Sequence, residues 1–297
     1  MTPKVTVATT TYNRAALLPR VHAGLVAQTF RDFEWVVVDD GSEDGTRDVI
    51  AELEKKSDFP IRYEWQPNSG RHAALNRAVE LARGEYYTCV DSDDWYLPTA
   101  LKTFMRIWQS IPRDQLPRFW DVVGLCVDPS GKIVGNKYPR DPFDVAYADY
   151  VRLGLHGDRS GCERVDCLRQ YPFPVFEGER IPLEGIVFRR VGKHYLMRCF
   201  NEPTMVKEYQ STGLSARSKD IFVDSPKTAT LYLSERLGDG DRGPKLYANH
   251  FRYALHAKLG RTTFRKSPSK LRWAATAPIG TALYVRDRLR RASRRVA

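Results

Sequence analysis

The stretch Tyr86-Tyr87-Thr88-Cys89-Val90-Asp91-Ser92-Asp93-Asp94 sets five β-prone residues directly before three carboxylates in four positions. Such an apolar run reads as a short buried strand. Polar groups at the carboxyl end of a buried strand lie where open α/β sheets bind ligands. Carboxylates this close repel one another unless a cation sits among them. Mg²⁺ and Mn²⁺ accept such oxygen ligands and keep positions free for substrate phosphates. Asp is also common in turns and at helix N-caps, so the cluster alone leaves a plain acidic turn open.

Upstream, strand and helix patterns alternate. Residues 5–10 read as a first strand, followed by the turn Thr11-Tyr12-Asn13-Arg14. Residues 16–27 have helical spacing, with Leu17, Leu18, Val21 and Leu25 on one side. Residues 34–38 are mostly apolar, as a strand buried on both faces should be, and end at Asp39-Asp40-Gly41-Ser42. A helix over 45–55, a strand over 61–65 and a helix over 71–82 precede the strand at 86–90. This alternation predicts a parallel sheet with helices on its faces. The polar strand exits at 9–12, 39–42 and 91–94 are then expected to converge on one edge and form a nucleotide site.

Beyond Asp94 the pattern changes. Residues 98–111 predict a helix with Leu101, Phe104, Met105 and Trp108 inward. Asp128-Pro129-Ser130-Gly131 reads as a hairpin-like turn. Residues 137–180 read as loops with short strands, 182–191 as a helix, and 197–200 and 204–207 as two short strands. From 221 onward three or four helical stretches are expected, interrupted by 238–243, Pro268 and Pro278.

With 42% hydrophobic residues the 297-residue chain is globular. No uncharged apolar run approaches the roughly 18 residues of a membrane span. The N-terminus lacks the apolar segment of a signal peptide, so a cytoplasmic location is expected. Five scattered cysteines without a CxxC pair predict reduced thiols and no zinc site. The net charge of +11 is uneven: residues 251–297 hold 13 Lys/Arg and one acid, a local +12, which leaves −1 for residues 1–250.

Thr9-Thr10-Thr11-Tyr12-Asn13-Arg14, residues 28–34, residues 38–46, Asn68-Ser69-Gly70-Arg71, Ala74-Leu75-Asn76, Gly84-Glu85-Tyr86 and Asp91-Ser92-Asp93-Asp94 stand in the order and at the spacing of the family 2 glycosyltransferases. The sequence resembles that family strongly over 4–110 and fairly to about 215, but not in the tail. The resemblance implies an α/β GT-A (Rossmann-like) fold, with a mostly parallel central sheet, flanking helices and a helical basic C-terminal extension. It implies a glycosyltransferase domain at 1–215, with a nucleotide-sugar half at 1–110 and an acceptor half at 111–215, and the extension at 216–297. The implied activity is inverting transfer from a nucleotide sugar, with a UDP-sugar expected, to a glycan or lipid-linked acceptor, assisted by Mn²⁺ or Mg²⁺.

The same resemblance supplies residue roles. Thr10, Tyr12 and Asp40 would hold uracil and ribose with Asp39 beside them, and Asn13, Asn76 and Ser92 would also line the donor. A carboxylate suits the imide N–H of uracil and a Tyr ring suits stacking. Arg71 would meet phosphate. Asp93 and Asp91 would hold the metal, and Asp94 would orient the sugar. Many relatives carry a Glu-Asp pair where this chain has Glu184-Gly185. The general base is therefore placed on Glu184, with Glu177, Glu179, Asp158 and Asp166 in reserve. His72 reads either as a phosphate neighbour or as a plain core His.

The tail interleaves Trp273, Ile279, Leu283, Tyr284 and Val285 with cations, a composition that suits an anionic membrane surface. The expected location is peripheral, at the inner face of the plasma membrane. A solvated terminus and a homo-oligomer contact are the alternatives for the tail. A nucleic-acid-binding protein is the reading from a different class, and no nucleic acid is expected because it leaves residues 91–94 without a purpose. A nucleotidyltransferase is disfavoured, since Thr11–Arg14 stands where its Gly-rich phosphate loop would be. A sugar-nucleotide-binding relative without activity stays open because of Gly185.

Overall fold

The computed structural model describes residues 2–180, 183–210 and 221–296. The chain forms two compact units, Met1–Phe173 with Val187–Ser211, and Pro174–Ile186 with Thr212–Ala297. The expected boundary at 215 falls outside the described residues. The grouping of Pro174–Ile186 with the C-terminal helices differs from the expected division.

The first unit opens as the sequence predicts, with β1 (Val5–Thr11), α1 (Leu18–Val26), β2 (Phe33–Asp39), α2 (Thr46–Lys55), β3 (Ile61–Trp65), α3 (Arg71–Leu81) and β4 (Tyr86–Cys89). β3, β2, β1 and β4 pair in that order and all in parallel. Every residue of β1 and β2 is buried, because apolar side chains alternate onto both faces. Val5, Val7, Trp35 and Val37 join Leu18, Val21 and Leu25 of α1 in one core. Ala8, Val36 and Val38 join Ala74 and Ala78 of α3 in the other. Gly84 is needed where the chain enters β4: a Cβ there would lie 2.5 Å from Thr6 N.

Then come β5 (Trp95–Tyr96), α4 (Ala100–Gln109), β6 (Phe119–Val127), β7 (Phe143–Ala146), α5 (Tyr147–Arg152), β8 (Arg159–Arg164), α6 (Val165–Gln170), α7 (Glu184–Val191) and β9 (Leu196–Val206). The sheet continues from β4 through β8, β6 and β9 to β5, with β7 also on β9. β8 runs antiparallel to both its neighbours, so the sheet is mixed rather than mostly parallel. Among the described strands, four ladders are parallel and four antiparallel.

β8 is hard to read in sequence. Arg-Ser-Gly-Cys-Glu-Arg has no β-branched residue, and only Ser160 and Cys162 point into buried space. The two strands expected around Pro203 are one 11-residue β9. Register shifts against β6 on either side of the Leu125–Pro203 pair absorb the proline, which has no N–H for the ladder. None of the five cysteines forms a disulfide, and four are buried.

The second unit contains α8 (Ile221–Asp224), α9 (Pro226–Gly238), α10 (Pro244–His256), α11 (Gly260–Lys266) and α12 (Lys270–Val296). Glu179 joins Pro174–Ile186 to this unit. It accepts hydrogen bonds from Lys227 N–H (2.6 Å), Thr228 N–H (2.8 Å) and Thr228 Oγ1 (2.7 Å) at the start of α9. Glu179 is therefore a buried helix cap and not a reserve base. α12 continues through Pro278, where a break was expected. Pro278 and the residue four back, Ala274, are exposed, so water can serve the carbonyl that Pro278 leaves unpaired. No helix among the described residues is long and apolar enough to cross a membrane.

Candidate active site

Hydrogen bonds join the three strand exits. At the first, Asn13 adopts the left-handed region (φ 51°), which Asn tolerates better than most residues. Its N–H donates to Ser42 Oγ (2.8 Å), and its Oδ1 accepts from Glu43 N–H (2.9 Å). Gly41 (φ +86°) turns the second exit, where a Cβ would lie 2.8 Å from Asn68 N. Asp39 is buried and accepts from Ser42 N–H (2.8 Å) and from the Tyr63 hydroxyl (2.6 Å). Burial and the bond to Asp39 push the Tyr63 hydroxyl up to about 12.

Asp40 accepts three bonds, from Gln66 Nε2 (2.8 Å), Ser69 N–H (2.9 Å) and Gly70 N–H (2.8 Å). It thereby places negative charge at the N-terminus of α3, where helix N–H groups lack partners. Thr10 is buried at the end of β1, whereas Tyr12 is 48% exposed. An exposed ring beside strand exits is free to stack on a planar ligand.

The third exit is the acidic turn. Asp91, Asp93 and Asp94 bring one carboxylate oxygen each to within 4.8 Å of one another. Three basic side chains meet them. Arg71 Nη2 donates to Asp91 Oδ1 (2.7 Å), and Lys207 Nζ to Asp91 Oδ2 (3.2 Å) and Asp94 Oδ2 (2.5 Å). Arg14 Nη1 donates to Asp93 Oδ2 (3.1 Å). Arg20 Nη2 donates to the Asp93 carbonyl (2.6 Å), and Arg20 Nη1 to Glu208 Oε2 (2.5 Å). Glu208 N–H closes the ring on Asp94 Oδ1 (3.0 Å).

Burial acts to raise Asp91, but Arg71 and Lys207 outweigh it and hold its carboxyl well below the usual range. Burial, opposed by Lys207 and aided by the Asp91 charge, pushes Asp94 up to about 6. Burial also works against the Lys207 ammonium, yet the two carboxylates raise it well above the ordinary value.

The remaining expected site residues are occupied differently. Ser92 is buried within the turn. Asn76 exchanges two bonds with the Phe173 backbone (2.9 and 2.8 Å), so its amide fastens the chain beyond α6. Asp158 accepts from the Tyr209 hydroxyl, and Asp166 pairs with Arg164. His72 is buried in α3. Glu184 is the first residue of α7 and belongs to the second unit.

Lys207, Arg14, Arg20 and Glu208 are the residues that the sequence did not single out for the site. Lys207 and Glu208 directly follow an apolar strand end, the same signal that exposed the acidic turn. The donor set fits a divalent ion: three clustered carboxylates supply the hard oxygens that Mg²⁺ and Mn²⁺ prefer.

A parallel half-sheet whose exits gather carboxylates beside guanidinium and ammonium groups defines an α/β fold with charged side chains at its ligand-binding edge. Residues 6–122 match the family described as Glycosyl transferase family 2. GalNAc(5)-diNAcBac-PP-undecaprenol beta-1,3-glucosyltransferase of Campylobacter jejuni is 37% identical over 106 residues, which is 35% of this chain and 34% of that protein. Glycosyltransferase GlyA of Streptococcus pneumoniae is 38% identical over 145 residues, 48% of this chain and 20% of that protein. The matches thus span about a third or less of these relatives.

Among solved structures, S. aureus TarS 1-349 in complex with UDP-GlcNAc aligns with a TM-score of 0.60 at 18% identity, covering 92% of this chain and 79% of that one. Mannosyltransferase PcManGT from Pyrobaculum calidifontis, in complex with GDP-Man and Mn2+, aligns with a TM-score of 0.53 at 20% identity, covering 96% and 81%. At such identities the fold is what they share with this chain, and it is the GT-A fold.

Proposed function

We propose that this protein is an inverting glycosyltransferase that moves a sugar from a UDP-sugar to a hydroxyl of a cell-surface glycan or lipid-linked acceptor. The observation that carries this reading is the joining of three strand exits around Asp91, Asp93 and Asp94, with Arg14, Arg71 and Lys207 against them. The relatives' sugar-transferring names and the UDP-GlcNAc complex of the TarS neighbour support the donor class.

Tyr12 stacks on the base, and Thr10, Asp39 and Asp40 shape its pocket. Arg14 and Arg71 hold the diphosphate by exchanging carboxylate for phosphate oxygens. Asp93 and Asp91 would hold Mn²⁺ or Mg²⁺, which when bound supplies charge against the departing diphosphate. Asp94, tied by Lys207 and Glu208, orients the sugar. Glu184 takes the acceptor hydroxyl's proton. A lipid-linked acceptor places the reaction at the inner face of the plasma membrane.

Titration with UDP-, GDP- and dTDP-sugars, with and without Mn²⁺, beside an Asp93→Ala variant tests the reading. Metal-dependent binding of one nucleotide class that the variant loses is expected. No nucleotide binding in any condition would sink it.

A further inference from the structure

α12 has a packed face and an exposed apolar face. Along one, Trp273, Thr276, Gly280 and Asp287 are buried at helical spacing. This face packs on α10: a Cβ on Gly280 would lie 2.7 Å from the Ala248 carbonyl oxygen, and the Trp273 ring sits 4.5 Å from that of Phe251. Trp273 and Tyr284, grouped by sequence with an outer surface, are thus turned inward, Tyr284 against the His256 ring.

Along the opposite face, Leu271, Ala275, Pro278, Ala282, Val285 and Leu289 recur at alternating steps of four and three, and all are exposed. Leu271 is 81% and Leu289 66% exposed. Exposed Arg272, Arg286, Arg288 and Arg290 flank this stripe.

A second copy of the helix is a poor occupant. Ala and Pro at half of the stripe positions make weak knobs for a helix pair, and the flanking arginines would repel their like. Nucleic acid would use the cations and leave the aliphatic stripe in water. Aliphatic residues edged by long cationic side chains suit the boundary between lipid headgroups and acyl chains, where arginine reaches phosphate while its stem stays apolar. The local charge of +12 complements an anionic leaflet.

We propose that α12 docks on an anionic bilayer surface by this outer face while its inner face stays packed on α10. The inference rests on the helix alone.

Nuclease-treated full-length protein is floated with phosphatidylglycerol-containing vesicles and with pure phosphatidylcholine vesicles, beside Leu271→Glu/Leu289→Glu and Arg272→Gln/Arg290→Gln variants. Wild type is expected to float with the anionic vesicles, and each double variant to partition about tenfold less. Thermal midpoint and UDP affinity should not change, since all four positions lie on the exposed face. Wild type that stays unfloated, or variants that float equally, would overturn the proposal. So would a stable dimer that Leu271→Glu/Leu289→Glu dissolves, or flotation that nuclease abolishes. UDP binding in the same preparations separates failure here from failure of the transferase reading.

Discussion

In the first unit, Asp91, Asp93 and Asp94 each lie against a basic side chain, and Lys207 is half-buried between two of them. In the second unit, Asp287 is the single acid among residues 251–297. Arg252 forks onto it at 2.5 and 2.8 Å, and His256 Nε2 lies 3.2 Å away. Both units obey the rule that a buried charge takes a partner. They differ in what is left over. At the strand exits the pairs involve half-exposed arginines that can trade carboxylate for phosphate. In the tail the one buried acid is satisfied, and the surplus is outward-facing cation. The first arrangement suits a site that captures an anionic ligand, and the second suits a surface.

The largest expected effect tests whether the first unit holds the chemistry by itself. Glu184 lies in the segment that groups with the second unit. Glu184→Gln should lower kcat by about 10²- to 10⁴-fold while UDP affinity stays unchanged, the mark of a lost general base. A variant with unaltered kcat would move the base elsewhere.

Next is Lys207. Lys207→Met removes the cation that lies between half-buried Asp91 and buried Asp94. Because Asp91 is partly exposed to water, the cost should fall below the roughly 3–5 kcal/mol of a fully buried pair. Urea unfolding should show that loss, with Arg71 remaining against Asp91. An undiminished midpoint would mean that Lys207 is replaceable by water.

The corresponding probe in the second unit is His250. Its Nε2 lies 2.8 Å from Ser234 Oγ, its Nδ1 is buried without a partner, and burial pushes it down to about 4. The folded state therefore binds fewer protons than the unfolded chain between about pH 4 and about pH 6.5. Stability is full above that window and is lost as pH falls through it, by at most about 3 kcal/mol. Protection factors of the α9 and α10 amides, corrected for intrinsic exchange, should fall as pH falls through this range. A His250→Gln variant should lose that pH dependence, and wild-type protection factors that stay constant with pH would remove His250 from the account.

The two units were also unequally legible. β1, β2 and β4 announced themselves because strands buried on both faces are continuous apolar runs, and the carboxylates after them marked the ligand edge. β8 stayed hidden because Gly161 and four polar residues gave no strand signal, although it joins the two halves of the sheet. Lys207 was missed because the strand-end signal it shares with the acidic turn rests there on a single lysine, whose meaning comes from partners 113 and 116 residues away. In α12 hydrophobicity alone does not tell the packed face from the open one. Gly280, which lets α10 approach, is the residue that decides it.

The smallest effect separates binding from folding within the first unit. Asp39, Asp40 and Asn13 brace the strand exits through several hydrogen bonds each, so their loss would mix stability with affinity. Tyr12 is half exposed and stands outside that bracing. Tyr12→Leu should therefore leave the unfolding free energy within about 0.5 kcal/mol of wild type. If its ring stacks on uracil, UDP should bind about 3- to 10-fold more weakly, because an aromatic pair contributes about 0.5–1.5 kcal/mol beyond area burial. Calorimetric titration of wild type and variant measures that difference. Equal affinities would mean that the base is held by Asp39 and Asp40 without a stacking partner. Lost stability without lost affinity would make Tyr12 part of the scaffold, and the contrast between bracing acids and an open ring at this edge would fall.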